Sequence, residues 1–382
     1  MKKESLVIRN FGPIADVELH DIKPLTIIIG PSGVGKSTVL KILSLFRWLY
    51  KMQNIRSFLR LSGLKRSPFR YVFTSYITRN GWVGFVSKQT YIRYEVDNCV
   101  IEYKDNKLTT DLIKDPNALH LEKVSFISDS RIIIPDLLAG VATSEDFYTN
   151  ETYEDFRSAL ATLEKVDISY LGVCAMARRV ASGVEYKVEC VKGDKPYSIS
   201  LRNSSSGTQT VIPMVAIIRY FATNYDLVKM MNRAILNYVS ESDLLRDFRF
   251  VSNIGDFKSR RVSLMIEEPE LSLSPEKQIE FMKELCELCF NQPTRDYAMH
   301  VVITTHSPYI VNLLNLLIQA SHRKEKYGIA FDELDVYKMD AQGGITSLKA
   351  LDAELVDTMP LSEDILNIYN TIDSWRVERG AI

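Results

Sequence analysis

The chain has 382 residues, 46% of them hydrophobic and 25% charged, with a formal net charge of −1. That length holds one large domain or two ordinary ones, and the composition excludes a chain disordered throughout. The near-zero charge by itself singles out no class of partner.

The N-terminus, MKKESLVIRNF, lacks the apolar core of a secretory signal. Strands are predicted at Ser5–Arg9 and Ile14–Leu19, with Asn10 to Pro13 as the turn between them. Leu25–Ile29 is apolar throughout, as a buried central strand should be. It runs into a glycine-rich loop and then a helix from about Lys36. Residues 71–128 read as short strands, the first of them Tyr71–Ile77. Residues 135–170 read as helical and locally acidic.

A strand near Tyr186–Val191 precedes a serine-rich loop, a helix over Thr210–Phe221 and more helix to about Arg246. Strands at Val262–Ile266 and His300–Thr304 alternate with helices from Pro275 and Tyr309. A strand at Leu334–Met339 and a helix at Ser362–Val377 close the pattern. The greasy run Ile310–Ile318 is too short to span a bilayer and reads as a buried helix. Alternating strands and helices imply an α/β fold with a mostly parallel sheet, flanked by an antiparallel N-terminal lobe and helical insertions.

Five cysteines without a secretory signal suggest reduced thiols in the cytoplasm. Cys286 and Cys289 share one face of a predicted helix. Zinc would need two further ligands, so they read as core.

Four motifs carry chemistry. Gly30-Pro-Ser-Gly-Val-Gly-Lys36-Ser37 fits G-x-x-x-x-G-K-[ST] directly after an apolar strand. Its amides and the helix N-terminus suit phosphate oxygens. Lys36 is placed to reach the β- and γ-phosphates of ATP, and Ser37 to ligate Mg²⁺. Gly30, Pro31, Ser32, Gly33, Val34, Gly35, Lys36, Ser37 and Thr38 are the candidate nucleotide-binding residues. In Leu264-Met-Ile-Glu267-Glu268-Pro-Glu270 a strand ends in adjacent acids. Glu267 is assigned to the metal, and Glu268 to polarising the attacking water. Ser204-Ser-Ser-Gly-Thr-Gln209 opens a helix and forms an anion site only weakly on its own. Thr304-Thr-His306-Ser-Pro308 puts one histidine at a strand end, where a lone histidine is more often structural.

The order of the four is specific, and here the chain resembles the ABC-type ATPase heads of the SMC, RecF and OLD kind. Ser205 to Gln209 resembles the ABC signature and His306 the switch histidine. Ser125-Phe-Ile-Ser-Asp-Ser-Arg131 resembles the Tyr-Ile-Pro-x-x-Arg segment of stand-alone bacterial members, among them ATPases of anti-phage systems such as PARIS and Septu. The resemblance implies one ATPase domain over 1–382. Within it, 1–134 is a β-rich lobe with the phosphate loop and 135–180 a helical insertion. Residues 181–330 carry the signature, paired acids and switch histidine, and 331–382 form an acidic tail.

The resemblance further implies that Ser205, Ser206 and Gly207 cap a nucleotide held by a sister subunit. ATP would then join a homo-oligomer, a dimer or a multiple of dimers, and hydrolysis would release it. It also makes Glu268 and His306 the catalytic pair. Glu267 stands where relatives carry Asp, Gln89 is the candidate for their Q-loop glutamine, and Arg9 is a candidate neighbour of the base. Slow hydrolysis is the expectation. No nuclease chemistry is legible in the chain, so the effector would be a separate protein such as a nuclease, with no membrane partner. The alternatives are a DNA-repair or chromosome-associated ATPase, and an ATP-dependent scaffold with little turnover.

Charge is unevenly placed. Ile22–Tyr94 holds thirteen Lys or Arg and no acid, while Asp332–Asp364 holds nine acids and two lysines. The densest basic part, Lys51–Arg70, either contacts nucleic acid or an acidic protein, or packs within the molecule or faces solvent.

Overall fold

The computed structural model describes residues 3–64, 73–97, 99–180, 183–190, 196–240, 257, 259–292 and 295–378. β1 (Glu4–Phe11) and β2 (Ile14–Leu19) form an antiparallel pair, and β3 (Leu25–Ile29) is buried at every position. α1 (Lys36–Leu61) and α2 (Phe73–Arg79) follow. β4 (Tyr91–Val96), β5 (Cys99–Lys104) and β6 (Lys107–Thr110) complete a five-stranded antiparallel sheet, ordered β2-β1-β4-β5-β6. Next come β7 (His120–Ile127), the short α3 (Ile134–Leu138) and α4 (Phe147–Leu163).

β8 (Lys165–Ile168), β9 (Val173–Val180), β10 (Gly183–Cys190) and β11 (Ser198–Ser200) make a second antiparallel sheet. Then come α5 (Ser206–Arg219), α6 (Leu227–Ser240), β12 (Ser259–Glu267), α7 (Pro275–Phe290), β13 (Ala298–Thr305) and α8 (Pro308–His322). β14 (Leu334–Met339), β15 (Ile345–Ser347) and α9 (Glu363–Glu378) end the described chain.

The central sheet is ordered β15-β14-β3-β13-β12-β7 and is parallel except at β15. Its side chains alternate between two cores. Ile27, Ile29, Val301 and Ile303 join the α7 and α8 side, and Ile28, Val302, Met265 and Phe126 join α1 and the antiparallel lobe. Burial on both faces explains why these strands read as continuous apolar runs. β13 lies between β3 and β12. The pairs Ile29–Thr305 and Thr304–Glu267 bring all three strand ends to one level. That register decides what meets at the sheet's C-terminal edge.

A buried ionic cluster ties the lobe to the sheet. Arg47 donates to Glu4 at 2.7 and 2.9 Å, Tyr94 to Glu4 at 2.6 Å, and Arg261 to Glu4 at 2.5 Å and to Glu122 at 3.0 Å. Arg47 and Glu122 are wholly buried, and Glu4 and Arg261 nearly so. Such a cluster is stable only while every charge keeps its partner.

Two predicted segments differ. The expected strand at Tyr71–Ile77 is α2 from Phe73 on, and Tyr71 and Val72 lie outside the described residues. Phe73 and Ile77 are both buried, with Phe73 packed edge-on against Phe46. Spacing of four on a packed face outweighed the strand preference of the aromatics. Residues 135–180 are not helical throughout, because α4 ends at Leu163 and β8 and β9 follow. Their antiparallel pairing with each other and with β10 supplies the hydrogen bonds. Short strands with polar alternate positions carry a weak local signal. The predicted helix to Arg246 is described as far as Ser240, and residues 241–246 lie outside the described residues.

Candidate nucleotide site

Gly35 precedes α1 with φ 106°, a left-handed conformation that glycine adopts without strain. It offers no capping side chain, so the amides of the first turn, including Ser37 and Thr38, remain directed at a ligand. Lys36 is almost wholly buried. Its ammonium donates to the carbonyls of Gly30 at 2.8 Å and Pro31 at 2.7 Å. Burial depresses the Lys36 pKa, opposed by Glu268 and Glu270.

His306 follows β13 and bridges the loop to the acids. Its Nδ1 lies 3.4 Å from Lys36 Nζ and its Nε2 lies 3.1 Å from Glu268 Oε1. With Lys36 donating to Nδ1, the geometry assigns the ring proton to Nε2, where it is donated to Glu268. Lys36, His306 and Glu268 therefore meet, although they lie far apart in sequence. The acid strand β12 reaches the loop across β13, not as its direct neighbour.

Glu267 is fully buried. The Asp129 amide donates to its Oε2 at 3.4 Å, while Oε1 has no hydrogen bond and lies 3.6 Å from Lys41 Nζ. Burial pushes the Glu267 carboxyl up to about 7, with Asp129 adding to the rise and Lys41 and Ser37 opposing it. An orphaned carboxylate oxygen near the Ser37 hydroxyl is the donor set that a hard divalent cation takes, with phosphate and water completing the shell. Among the described residues no group of three or more His, Cys, Asp or Glu side chains would hold a metal alone. The residues thus fit Mg²⁺ delivered with a nucleotide.

Three residues near the site had no assigned role in the sequence. Arg131, fully buried, donates to the carbonyls of Ser128 (3.0 Å), Glu267 (2.7 Å), Glu268 (2.6 Å) and Thr210 (3.2 Å). Burial pulls its guanidinium pKa down to about 10, while Asp129, Glu270, Glu267 and Glu268 support its charge. Glu270 Oε1 accepts from the His306 amide at 2.6 Å and from Thr305 Oγ1 at 2.9 Å, fixing the histidine's backbone. Lys41, one turn beyond Ser37, stands beside Glu267. Glu270 lay in the acidic motif and Arg131 in the quoted segment, but only the fold aims them.

Ser205 caps α5, its Oγ accepting from the Thr208 amide at 3.4 Å. Ser205 and Ser206 are exposed. Gly207 packs so tightly that a Cβ there would lie 2.8 Å from the Ser272 carbonyl. The loop thus leans on the turn that follows Glu268. Among the described residues, no hydrogen bond joins Ser205, Ser206 or Gly207 to the phosphate loop.

Gln89 is exposed in the antiparallel lobe, where its carbonyl accepts from Asn10 at 3.3 Å. Arg9 pairs with Asp16 at 3.2 Å and with Glu18. Cys286 and Cys289 are free and buried in the α7 core. In the basic stretch, Lys51 and Arg56 are half-buried and Arg60 is exposed, while Lys65, Arg66 and Arg70 lie outside the described residues. No single helix among the described residues is long and apolar enough to cross a membrane.

A family profile described as AAA ATPase domain matches residues 92–311, and a second, AAA domain, matches residues 5–156. No curated protein matches the chain. Among solved structures, the chain is similar to the SMC head domain from Thermotoga maritima at 12% identity and TM-score 0.37, covering 92% of this chain and 100% of that one. It is also similar to a structure of the recombination mediator protein RecF at 12% identity and TM-score 0.36, covering 91% and 98%. With the first profile spanning more than half of its length, the chain belongs to the AAA ATPase domain family.

Proposed function

We propose that this protein binds ATP with Mg²⁺ and hydrolyses it slowly, in a site completed by a second copy of the chain. One observation carries the reading: His306 touches Lys36 on one side and Glu268 on the other, at 3.4 and 3.1 Å. The phosphate-loop amides and Lys36 bind the triphosphate. Ser37 and Glu267 would hold Mg²⁺, which would supply charge neutralisation to the phosphates. Glu268 orients the attacking water and accepts its proton. His306, its backbone fixed by Glu270, donates to Glu268 and holds that carboxylate beside Lys36.

The exposed hydroxyls of Ser205 and Ser206, with Gly207 at a helix N-terminus, suit a nucleotide held by the sister copy. Nucleotide state then controls association, and through it a separate cytoplasmic effector protein. The resemblance of Ser125–Arg131 to stand-alone anti-phage ATPases supports defence as the setting.

The test pairs turnover with mass. Glu268→Gln is expected to lower ATP hydrolysis about 100-fold or more while retaining ATP. Light scattering is expected to show the variant as an ATP-dependent dimer or larger. Equal turnover in variant and parent removes the base role, and an unchanged single-copy mass with Mg²⁺ and ATP removes the composite site. Effector capture with and without ATP tests the last step.

A further inference from the structure

A cavity of about 460 Å³ lies at the β7 edge of the central sheet, between α1, α2 and α4. That volume is in the range of small-molecule sites. Its walls include Trp48, Tyr76 and Tyr148 as rings, and Lys51, Arg79 and Lys123 as cations. Trp48 and Tyr76 already form a tilted pair with centroids 5.1 Å apart. Of the two acids in the wall, Glu151 pairs with a wall cation and Glu154 with a residue outside it. Lys123 lies 3.1 Å from Asp155 and 3.8 Å from Glu151, and Arg157 takes Glu154 at 3.4 Å. Lys51 and Arg79 have no hydrogen bond or ion pair among the described residues. Two cations without a direct hydrogen-bonded partner, beside a set of aromatic faces, suit a ligand with a flat ring and a negative group. An apolar guest would leave the cations bare, and a sugar phosphate would leave the rings unstacked.

The cavity wall also reaches the nucleotide site. The Tyr148 hydroxyl donates to the Lys41 carbonyl at 3.3 Å, and Lys41 Nζ lies 5.2 Å from the Tyr148 ring centroid. The same Nζ is 3.6 Å from Glu267 Oε1. Tyr148 thus contacts Lys41 at both its backbone and its ammonium, and that ammonium stands beside Glu267.

We propose that this cavity is a regulatory site for a small aromatic anion with the chemistry of a nucleoside monophosphate, and that Tyr148 and Lys41 relay its occupancy to Glu267. Burial, with Lys123 nearby, pushes the Lys51 ammonium down to about 8 against the pull of Glu151, Glu122 and Asp155, and a bound anion would add to that counter-charge. The binding half stands without the ATPase reading. The relay half rests on it.

The experiment is titration calorimetry on the full chain carrying Lys36→Ala, which silences the phosphate loop. The probes are purine and pyrimidine nucleoside monophosphates and their cyclic 3′,5′ forms. At least one probe is expected to bind at one site per chain. Arg79→Ala, at the exposed end of α2, and Lys51→Met are each expected to weaken it about tenfold or more. No binding by any probe, or binding indifferent to both substitutions, overturns the site. In the chain with Lys36 intact, the bound probe is expected to change hydrolysis about fivefold or more. Tyr148→Phe is expected to remove that effect while keeping the binding. A rate indifferent to the bound probe overturns the relay. Loss of all hydrolysis in the parent chain condemns the ATPase reading and leaves the binding result to stand by itself.

Discussion

Arg131 donates to the carbonyl of Glu268 at 2.6 Å, and Glu268 holds a backbone φ of 44°. A non-glycine residue in that left-handed region costs on the order of 1–3 kcal/mol and persists only where its surroundings over-determine it. Two contacts do so, the Arg131 guanidinium on the carbonyl and the Thr304 carbonyl accepting from the Glu268 amide at 2.9 Å. The same guanidinium reaches Thr210 in α5 at 3.2 Å. One side chain thus sets the strand end that aims Glu268 and ties it to the helix of the Ser-Gly loop.

Arg131→Met is therefore expected to lose about 3–5 kcal/mol of stability, because three buried carbonyls and one part-buried carbonyl lose a charged donor. Its kcat is expected to fall further than its affinity for ATP, since the lost contacts orient Glu268 and leave the phosphate loop intact. Urea unfolding and steady-state kinetics read the two effects. A change in KM alone would assign Arg131 to nucleotide binding instead.

Glu267→Gln replaces a buried, partly unsatisfied carboxylate with a neutral group of the same shape. The nucleotide-free protein is expected to gain on the order of 1–3 kcal/mol at pH 8, where burial opposes the charge most strongly. The same variant is expected to lose Mg²⁺-dependent tightening of ATP binding. Thermal melts without nucleotide, then calorimetry with and without Mg²⁺, separate the two. A destabilised nucleotide-free variant would contradict the orphan-carboxylate account.

The Glu4 cluster predicts acid sensitivity. Burial alone would raise the Glu4 pKa, but Arg261 and Arg47 hold it well below the ordinary carboxylate range. His300, deeply buried near both arginines, is depressed well below its ordinary 6.5. In each case the unfolded chain binds the proton more readily, so stability rises with pH inside the window and is lost on acidification. The loss is expected to begin near pH 6.5 through His300 and to steepen below about 4.5 through Glu4. Glu4→Gln, which strands Arg47 and Arg261, is expected to cost about 3–5 kcal/mol at pH 7.5. It is also expected to flatten the acid limb of a stability–pH curve. An unaltered limb would place the acid sensitivity elsewhere.

Gly207→Ala puts a methyl group 2.8 Å from the Ser272 carbonyl, so the loop or the turn must shift. About 1–2 kcal/mol of lost stability is expected. ATP-dependent association is expected to weaken more than ATP binding to a single copy. Equal weakening of both would mean that the loop serves its own chain's nucleotide.

Much of the site was legible in the linear chain, and the reason is local geometry. The phosphate loop needs consecutive amides and a helix start, so Gly30 to Ser37 declares itself without tertiary help. β3, β12 and β13 are covered on both faces, so each is an unbroken apolar run that ends where its polar motif begins. α2 and the β8–β11 sheet were not legible. Phe73 faces the core against Phe46 and Tyr103, which are distant in sequence, and β8 and β9 gain their hydrogen bonds from each other. Which side chains would meet was a tertiary decision. The sequence by itself determined a glycine-rich loop before a helix, two acids at a strand end and a histidine at another. Only the register of three parallel strands, Ile29 beside Thr305 and Thr304 beside Glu267, put their ends at one level. Arg131, Glu270 and Lys41 acquired their partners from that packing, because long-range pairing leaves no periodic trace in the residues that it unites.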